Sequence, residues 1–262
     1  LPCAVRADHT FTVLGLKAGL FTGQGKEYAG EIHLINLIPI DHELKPLAYL
    51  SPTNIKLPQR MAFGHKGSYG HVLVVGGHEQ MGGAVIMAAE AAFHAGAGKV
   101  TVVCHRNHHQ AILSRAPNIM LRDINALDEN NIKEILSQVD AVCFGMGLGR
   151  DDWAKQIYQQ WFNLLNQSIR LEVVLDADAL NILAQNTDWF SQLPKQTILT
   201  PHPKEFDLLF GTHNSEDARR ATALKKATEW NCIILLKGHQ TFITNGIDSY
   251  ENSTGNSGLA KG

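Results

Sequence analysis

Several polar clusters in this 262-residue chain sit where an apolar run ends, the position from which a side chain can do chemistry. Val174–Asn181 reads VLDADALN, with Asp176 at the tip of a strand-like run and Asp178 placed to cap a following helix. Capping accounts for Asp178, whereas a carboxylate at a strand tip faces a ligand, a metal or water. Thr200–Phe206 reads TPHPKEF, where two prolines stiffen the backbone around the imidazole of His202 and Glu205 follows in a first helical turn. Leu236–Thr241 reads LKGHQT, a lysine leaving a buried run beside a glycine, which suits a phosphate. Phe144 is followed by GMGLGRD, whose alternate glycines 145, 147 and 149 allow backbone to approach a large ligand. Asn252–Gly262, NSTGNSGLAKG, is small, polar and glycine-rich, the composition of an anion-binding nest. Each cluster also has a plain reading: tight turns for the glycines, a dipole partner for Glu205 and a solvated strand end for Lys237.

The element that must position them is the stretch from Gly70 to Cys104. His71–Val75 and Val100–Cys104 are short valine-rich runs suited to strands buried on both faces. Between them Ala84–Ala95 reads as an alanine-rich helix, opened by Gly82-Gly83 and stopped by Gly96-Ala97-Gly98. Strand, helix and parallel strand make one βαβ unit, and the glycines at its first turn leave helix N–H groups free for an anion. Their spacing is not G-x-G-x-x-G, so the dinucleotide fingerprint does not match.

The same alternation continues. Helices are expected at Asp128–Gln138, Asp151–Asn166, Ala177–Gln185, Lys204–Phe210 and Glu216–Glu229, and His108-His109 at a solvated helix start. Strands are expected at Ala141–Phe144, Leu171–Leu175, Thr197–Leu199 and Cys232–Leu236, followed by a hairpin around Asn245-Gly246. This pattern predicts an α/β fold with a mostly parallel central sheet and helices on both faces, and ligands beyond the C-terminal strand ends. Upstream, Phe11–Leu14 and Glu31–Ile35 read as strands joined by a glycine-rich connection, too little for a core. The proline-rich stretch Pro39–Gln59 reads as a linker. The chain therefore divides into residues 1–38, a linker at 39–59 and a main domain at 60–262.

A formal charge of -2 and 18% charged residues give no basic surplus for nucleic acid. No run is long and apolar enough for a membrane span, and no signal peptide is visible, so a cytoplasmic protein is expected. The 4 cysteines form no C-x-x-C pair, which fits a reducing compartment, and the 13 histidines form no H-E-x-x-H motif.

Taken in order, HKGSYGHVLVVGG, GGA, AGAGKVTV, GMGLG, DADALN, TPHPKEF, LKGHQT and NSTGNSGLAKG closely resemble the ADP-dependent NAD(P)H-hydrate dehydratases, ribokinase-like proteins that repair hydrated nicotinamide cofactors. The resemblance runs from about His65 to Gly262. In addition, AVRADHTFTVLGLKAGLFTGQGKEYAG resembles the tail of the NAD(P)H-hydrate epimerase domain that precedes the dehydratase in bifunctional enzymes. The resemblance implies passage of a nucleotide phosphoryl group to the hydroxyl of NAD(P)HX, then elimination of phosphate. It implies that Ala84, Gly147 and His202 contact the hydrate and that Lys237, Gly238, His239, Gln240 and Thr241 contact ADP or ATP. Asp176, Asp178 and Glu205 would lie near Mg2+ and phosphate. The family's general base is an aspartate that would follow Gly262, so the expectation is no catalytic residue within this chain and weak or no turnover. A homo-oligomer is also expected. Two other readings stay open, a ribokinase-like kinase of a small alcohol and a non-catalytic nucleotide-binding piece.

Overall fold

The computed structural model describes residues 3–39, 45–51, 59–60 and 62–254. The nest read at the end of NSTGNSGLAKG and most of the linker lie outside these described residues.

Two pieces emerge in chain order. In the first, β1 (His9–Val13), a short helix α1 (Gly25–Ala29) and β2 (Glu31–Ile35) form a parallel two-stranded sheet of their own. The second is a 10-stranded sheet. It begins with β3 (Tyr49–Leu50), β4 (His71–Val75), α2 (Gly83–Ala95), β5 (Lys99–Cys104), α3 (His109–Arg115) and β6 (Met120–Asp123). It continues with α4 (Glu129–Ser137), β7 (Ala141–Phe144), α5 (Asp152–Leu165), β8 (Glu172–Leu175), α6 (Asp178–Leu183) and β9 (Thr197–Leu199). It ends with α7 (Pro203–Phe210), α8 (Glu216–Trp230), β10 (Ile233–Leu236), β11 (Thr241–Thr244) and β12 (Ser249–Asn252). The strand order is β3-β12-β11-β10-β9-β8-β7-β4-β5-β6. The run from β10 to β6 is parallel throughout, and β11 and β12 add the hairpin beside it.

Alternation along the strands explains why the sheet is buried on both sides. Leu73 and Val75 of β4 enter one core with Val103, Phe144, Leu175 and Leu199, while Val74 enters the other with Val100, Val102 and Cys104. The first core takes side chains from α4 to α8, and the second takes Val85 and Ala89 of α2 and Ile112 of α3. Tyr158 stacks on Phe144 at 5.4 Å, and Phe162 and Trp189 stack on Tyr158 at 5.4 and 5.2 Å and on each other at 5.4 Å, which fixes α5 against the sheet. Burial pushes the phenol of Tyr158 far up, and Cys104 and Cys232 thiols up to about 12, so these side chains pack and do not react. Among the described residues no helix is long and apolar enough to cross a membrane.

Helix ends follow local chemistry. Asp151 caps α5 through Ala154 N–H, Asp128 forms a capping box with Asn131, and Gly96 closes α2 in the left-handed region at φ 112. Three expectations are corrected. Tyr49–Leu50, inside the stretch read as linker, pairs with Tyr250–Glu251 as the edge strand of the main sheet. The strand β6 and helix α3 fill the stretch between Cys104 and Asp128, to which the sequence pattern assigns no element beyond a helix start at His108-His109. His109 does start a helix, but it is half-buried, and His108 Nε2 lies 2.8 Å from the carbonyl of His78 instead of facing solvent. Asp178 does not cap a helix: Ala177 occupies that position at φ 51, and the Asp178 carboxylate turns elsewhere.

Candidate active site

The connections leaving β10, β9, β8, β7 and β4 form a continuous arc along the C-terminal edge of the sheet. Chain direction reverses its spread between β4 and β7: the chain runs from β4 out to β5 and β6, then returns to β7 and proceeds the other way. A ligand crevice opens at such a switch point.

At this point the β4 and β7 turns pack backbone against backbone, leaving no room for side chains. Gly77 N–H donates to the Met146 carbonyl at 2.9 Å and His78 N–H to the Gly147 carbonyl at 2.6 Å, which stitches the β4 and β7 turns together. A Cβ on Gly76 would sit 2.2 Å from the Met146 carbonyl oxygen. Gly147 adopts φ 61, and a Cβ there would meet the Met81 carbonyl oxygen at 2.5 Å. Glycine is thus required at Gly76 for space and at Gly147 for both conformation and space. Ala84, in the first turn of α2, is half-buried behind this crevice.

Further along, Asp176 Oδ1 accepts from Lys237 Nζ at 2.7 Å and from Thr200 Oγ1 at 2.8 Å, so the ends of β8, β9 and β10 meet on one oxygen. Lys237 N–H donates to the Pro201 carbonyl at 2.8 Å, holding the β10 end against the proline-bracketed turn. Asp178 spends both oxygens on the β7 turn, on Gly149 N–H and Arg150 Nε at 2.9 Å each. Between the two aspartates Ala177 lies at positive φ, a strained conformation stored where loops meet the ligand edge. His202 is exposed, and its Nδ1 accepts from the N–H groups of Lys204 and Glu205. Glu205 is buried and returns a carboxylate oxygen to His202 N–H at 2.9 Å, a capping box that fixes the imidazole at the start of α7.

The LKGHQT loop closes the far end of the arc. Gly238 and His239 are exposed, Thr241 is half-buried at the start of β11, and Gln240 is 7% exposed. Neither the Oε1 nor the Nε2 of Gln240 has a hydrogen-bond partner among the described residues. An amide buried without partners is costly in the free protein.

The carboxylates do not build a metal cage. Asp178 and Glu205 are engaged by protein donors, whereas Asp176 Oδ2 has no partner among the described residues. One free carboxylate oxygen fits Mg2+, which keeps several waters and binds through one or two carboxylates plus substrate phosphates.

Sequence reasoning missed His78. It follows Gly76-Gly77 directly, and a polar residue just past a glycine turn at a strand tip was the available signal. Its Nε2 lies 3.1 Å from Asp151 Oδ2, and its ring meets the edge of Trp153 at 4.9 Å. The hydrogen bond from Ala154 N–H, aided by His78, holds the Asp151 carboxyl below its usual range. Cys143, behind Asp176, is pushed up to about 11 by burial and then by that carboxylate, so no thiolate serves the site.

Comparison with known proteins bears on the family. The profile of a family described as NAD(P)H-hydrate dehydratase matches residues 72–262. A bifunctional NAD(P)H-hydrate repair enzyme Nnr of Coxiella burnetii is 36% identical over 99% of this chain and 53% of its own length. The ADP-dependent (S)-NAD(P)H-hydrate dehydratase of Listeria monocytogenes is 33% identical over 79% of this chain and 71% of its own. The solved ADP/ATP-dependent NAD(P)H-hydrate dehydratase of Bacillus subtilis, co-crystallised with ATP/Mg2+, superposes with a TM-score of 0.65 at 31% identity, covering 79% of this chain and 72% of that one. The chain spans about half the length of the bifunctional relatives it matches. The fold is ribokinase-like, as the sequence led one to expect.

Proposed function

The chain belongs to the NAD(P)H-hydrate dehydratase family, and from that premise we propose that the arc binds an adenine nucleotide beside a hydrated nicotinamide cofactor and dehydrates the latter. In this reading ADP or ATP supplies the phosphoryl group and (S)-NAD(P)HX is the substrate. The observation that carries it is the alignment, along one sheet edge, of a glycine-lined crevice, a lysine–aspartate pair and an unpartnered buried amide.

The crevice end takes the hydrate. Gly147 and Ala84 present backbone and a small side chain to it, and His202, fixed by Glu205, bounds it from the β9 side. The β10 end takes the nucleotide. The Gln240 amide reads a donor–acceptor edge of the base, Thr241, Gly238 and His239 line it, and Lys237 meets its phosphates. Lys237 and Asp176 stand between the two halves, where the transferring phosphoryl must pass. The hydrate hydroxyl attacks the terminal phosphorus and loses its proton, while the anhydride P–O bond breaks and AMP leaves from ADP, or ADP from ATP. The C–O bond of the resulting ester then breaks, phosphate leaves, and loss of a proton from the neighbouring ring carbon restores the dihydropyridine double bond. Phosphorylation turns a poor leaving group into a good one, and these residues contribute position and charge neutralisation. Mg2+ bound with the nucleotide would be held by Asp176 and would offset charge on the phosphates.

Residues 1–38 are proposed as the tail of an epimerase-type domain, supported by the bifunctional relatives aligning across 98–99% of this chain. The test of the main reading is product stoichiometry. NADHX, ADP and the natural protein carrying this sequence should yield NADH, AMP and phosphate in equal amounts. Accumulation of a stable phosphate ester would instead make the protein a small-alcohol kinase, and NADH formed without nucleotide would reject the proposed route.

A further inference from the structure

We propose that His9, Glu31 and His33 form a binding site for a divalent transition metal of the zinc class on the small N-terminal sheet. The site lies on β1 and β2 and does not rest on the dehydratase reading.

Register brings the three together. In the parallel pairing of β1 with β2, His9 lies opposite Glu31, and His33 follows Glu31 by two residues on the same face. His9 Nδ1 is 3.0 Å from His33 Nε2. The Glu31 oxygens lie 3.6 Å from His9 Nδ1 and 3.8 Å from His33 Nε2. Donor atoms about 2.0–2.2 Å from a tetrahedral Zn2+ are separated by roughly 3.3–3.6 Å. Each imidazole nitrogen faces a different Glu31 oxygen, Oε2 for His9 and Oε1 for His33, and one donor atom from each residue falls within 4.8 Å of the others, so rotations about the side chains would draw the three onto one ion. The ring of Phe11 stacks on His33 at 4.9 Å and 22°, which fixes the orientation of that imidazole and shields one side of the site.

The donor set selects the ion. Two imidazoles and one carboxylate suit Zn2+ and its neighbours Co2+, Ni2+ and Cu2+, whereas Mg2+ and Ca2+ take oxygen ligands. The His9 and Glu31 side chains are 56% and 68% exposed, so a fourth position opens to water. Because two strands alone are marginal, an ion bridging β1 and β2 would act as their cross-link.

The test uses the chain stripped of metal with a chelator. Titration with Zn2+ by calorimetry should saturate at a single high-affinity ion, and Co2+ should give the visible spectrum of a nitrogen- and oxygen-ligated site. Excess Mg2+ should not compete. His9→Ala, His33→Ala and Glu31→Gln should each weaken Zn2+ binding by roughly tenfold or more. These side chains are at least one-third exposed, so circular dichroism should remain unchanged. Absence of saturable Zn2+ binding would overturn the proposal, leaving an ordinary hydrogen-bonded trio. So would Zn2+ binding that persists in the His9→Ala/His33→Ala double variant, since it would belong to others of the 13 histidines.

Discussion

Replacing Gln240 by leucine should move stability and affinity in opposite directions. The side chain is 7% exposed and both of its polar atoms lack partners among the described residues. Burying an unpaired amide costs about 1–3 kcal/mol on the scale of protein mutational data. Leucine has similar bulk and no such cost, so Gln240→Leu should stabilise the free protein by about 1 kcal/mol. For a domain of this size that raises the melting temperature by roughly 2–4 °C. In the nucleotide complex the same amide is expected to make two hydrogen bonds, each worth about 0.5–1.5 kcal/mol net. Their loss should weaken ADP about 5- to 150-fold. Thermal melts without ligand and calorimetric ADP titration measure the two effects on one sample. A Gln240→Leu protein that melts lower than wild type would show that the amide is satisfied in the free protein. An unchanged ADP affinity would remove Gln240 from the site.

Lys237→Ala should lose a charge-assisted contact worth about 1.5–3 kcal/mol, seen as ADP binding weakened at least roughly tenfold by calorimetry. Its side chain is 39% exposed and that of Asp176 26%, so the pair itself should contribute under about 1 kcal/mol to folding, and the melting temperature should hardly change. Gly147→Ala places a Cβ 2.5 Å from the Met81 carbonyl oxygen at positive φ and should destabilise by about 1–3 kcal/mol in denaturant titration, with hydrate binding lost as the turn shifts. His71 is buried between Thr101 Oγ1 at 2.7 Å and the Gln138 carbonyl at 3.1 Å, and burial lowers its pKa from 6.5. The unfolded chain therefore takes up this proton first, so the His71 contribution is full above about pH 6.5 and is lost as pH falls through its lowered folded value. His71→Gln should flatten the fall in melting temperature on that acid side, and an unchanged slope would count against it.

How much was legible in the sequence depended on whether a feature was local. Valine runs bounded by glycine pairs gave β4, α2 and β5 nearly to the residue, because both faces of those strands are buried and no polar alternation confuses the pattern. The strand-tip polar residues were placed on one edge because a parallel β–α alternation leaves them nowhere else. What stayed hidden was tertiary. Tyr49–Leu50 becomes a strand only because β12 offers an open edge, and two residues carry no period of their own. Asp178 has the look of a helix cap, yet the positive φ of Ala177 turns its carboxylate to Gly149 and Arg150, contacts 28 to 29 positions distant. The Lys237–Asp176 pair spans 61 positions, and nothing in either motif names the other. Gln240 reads as one more polar loop residue until its burial and lack of partners are seen.

The central claim is that the hydroxyl of the hydrate leaves as phosphate. It can be tested by labelling that hydroxyl with a heavy oxygen isotope and following the label through a reaction of NADHX, ADP and the natural protein carrying this sequence. Phosphorylation at Lys237 and Asp176 followed by C–O cleavage predicts that the label appears in inorganic phosphate, in step with NADH. Label recovered in water would mean that the ring loses its hydroxyl directly and that the nucleotide site serves some other purpose.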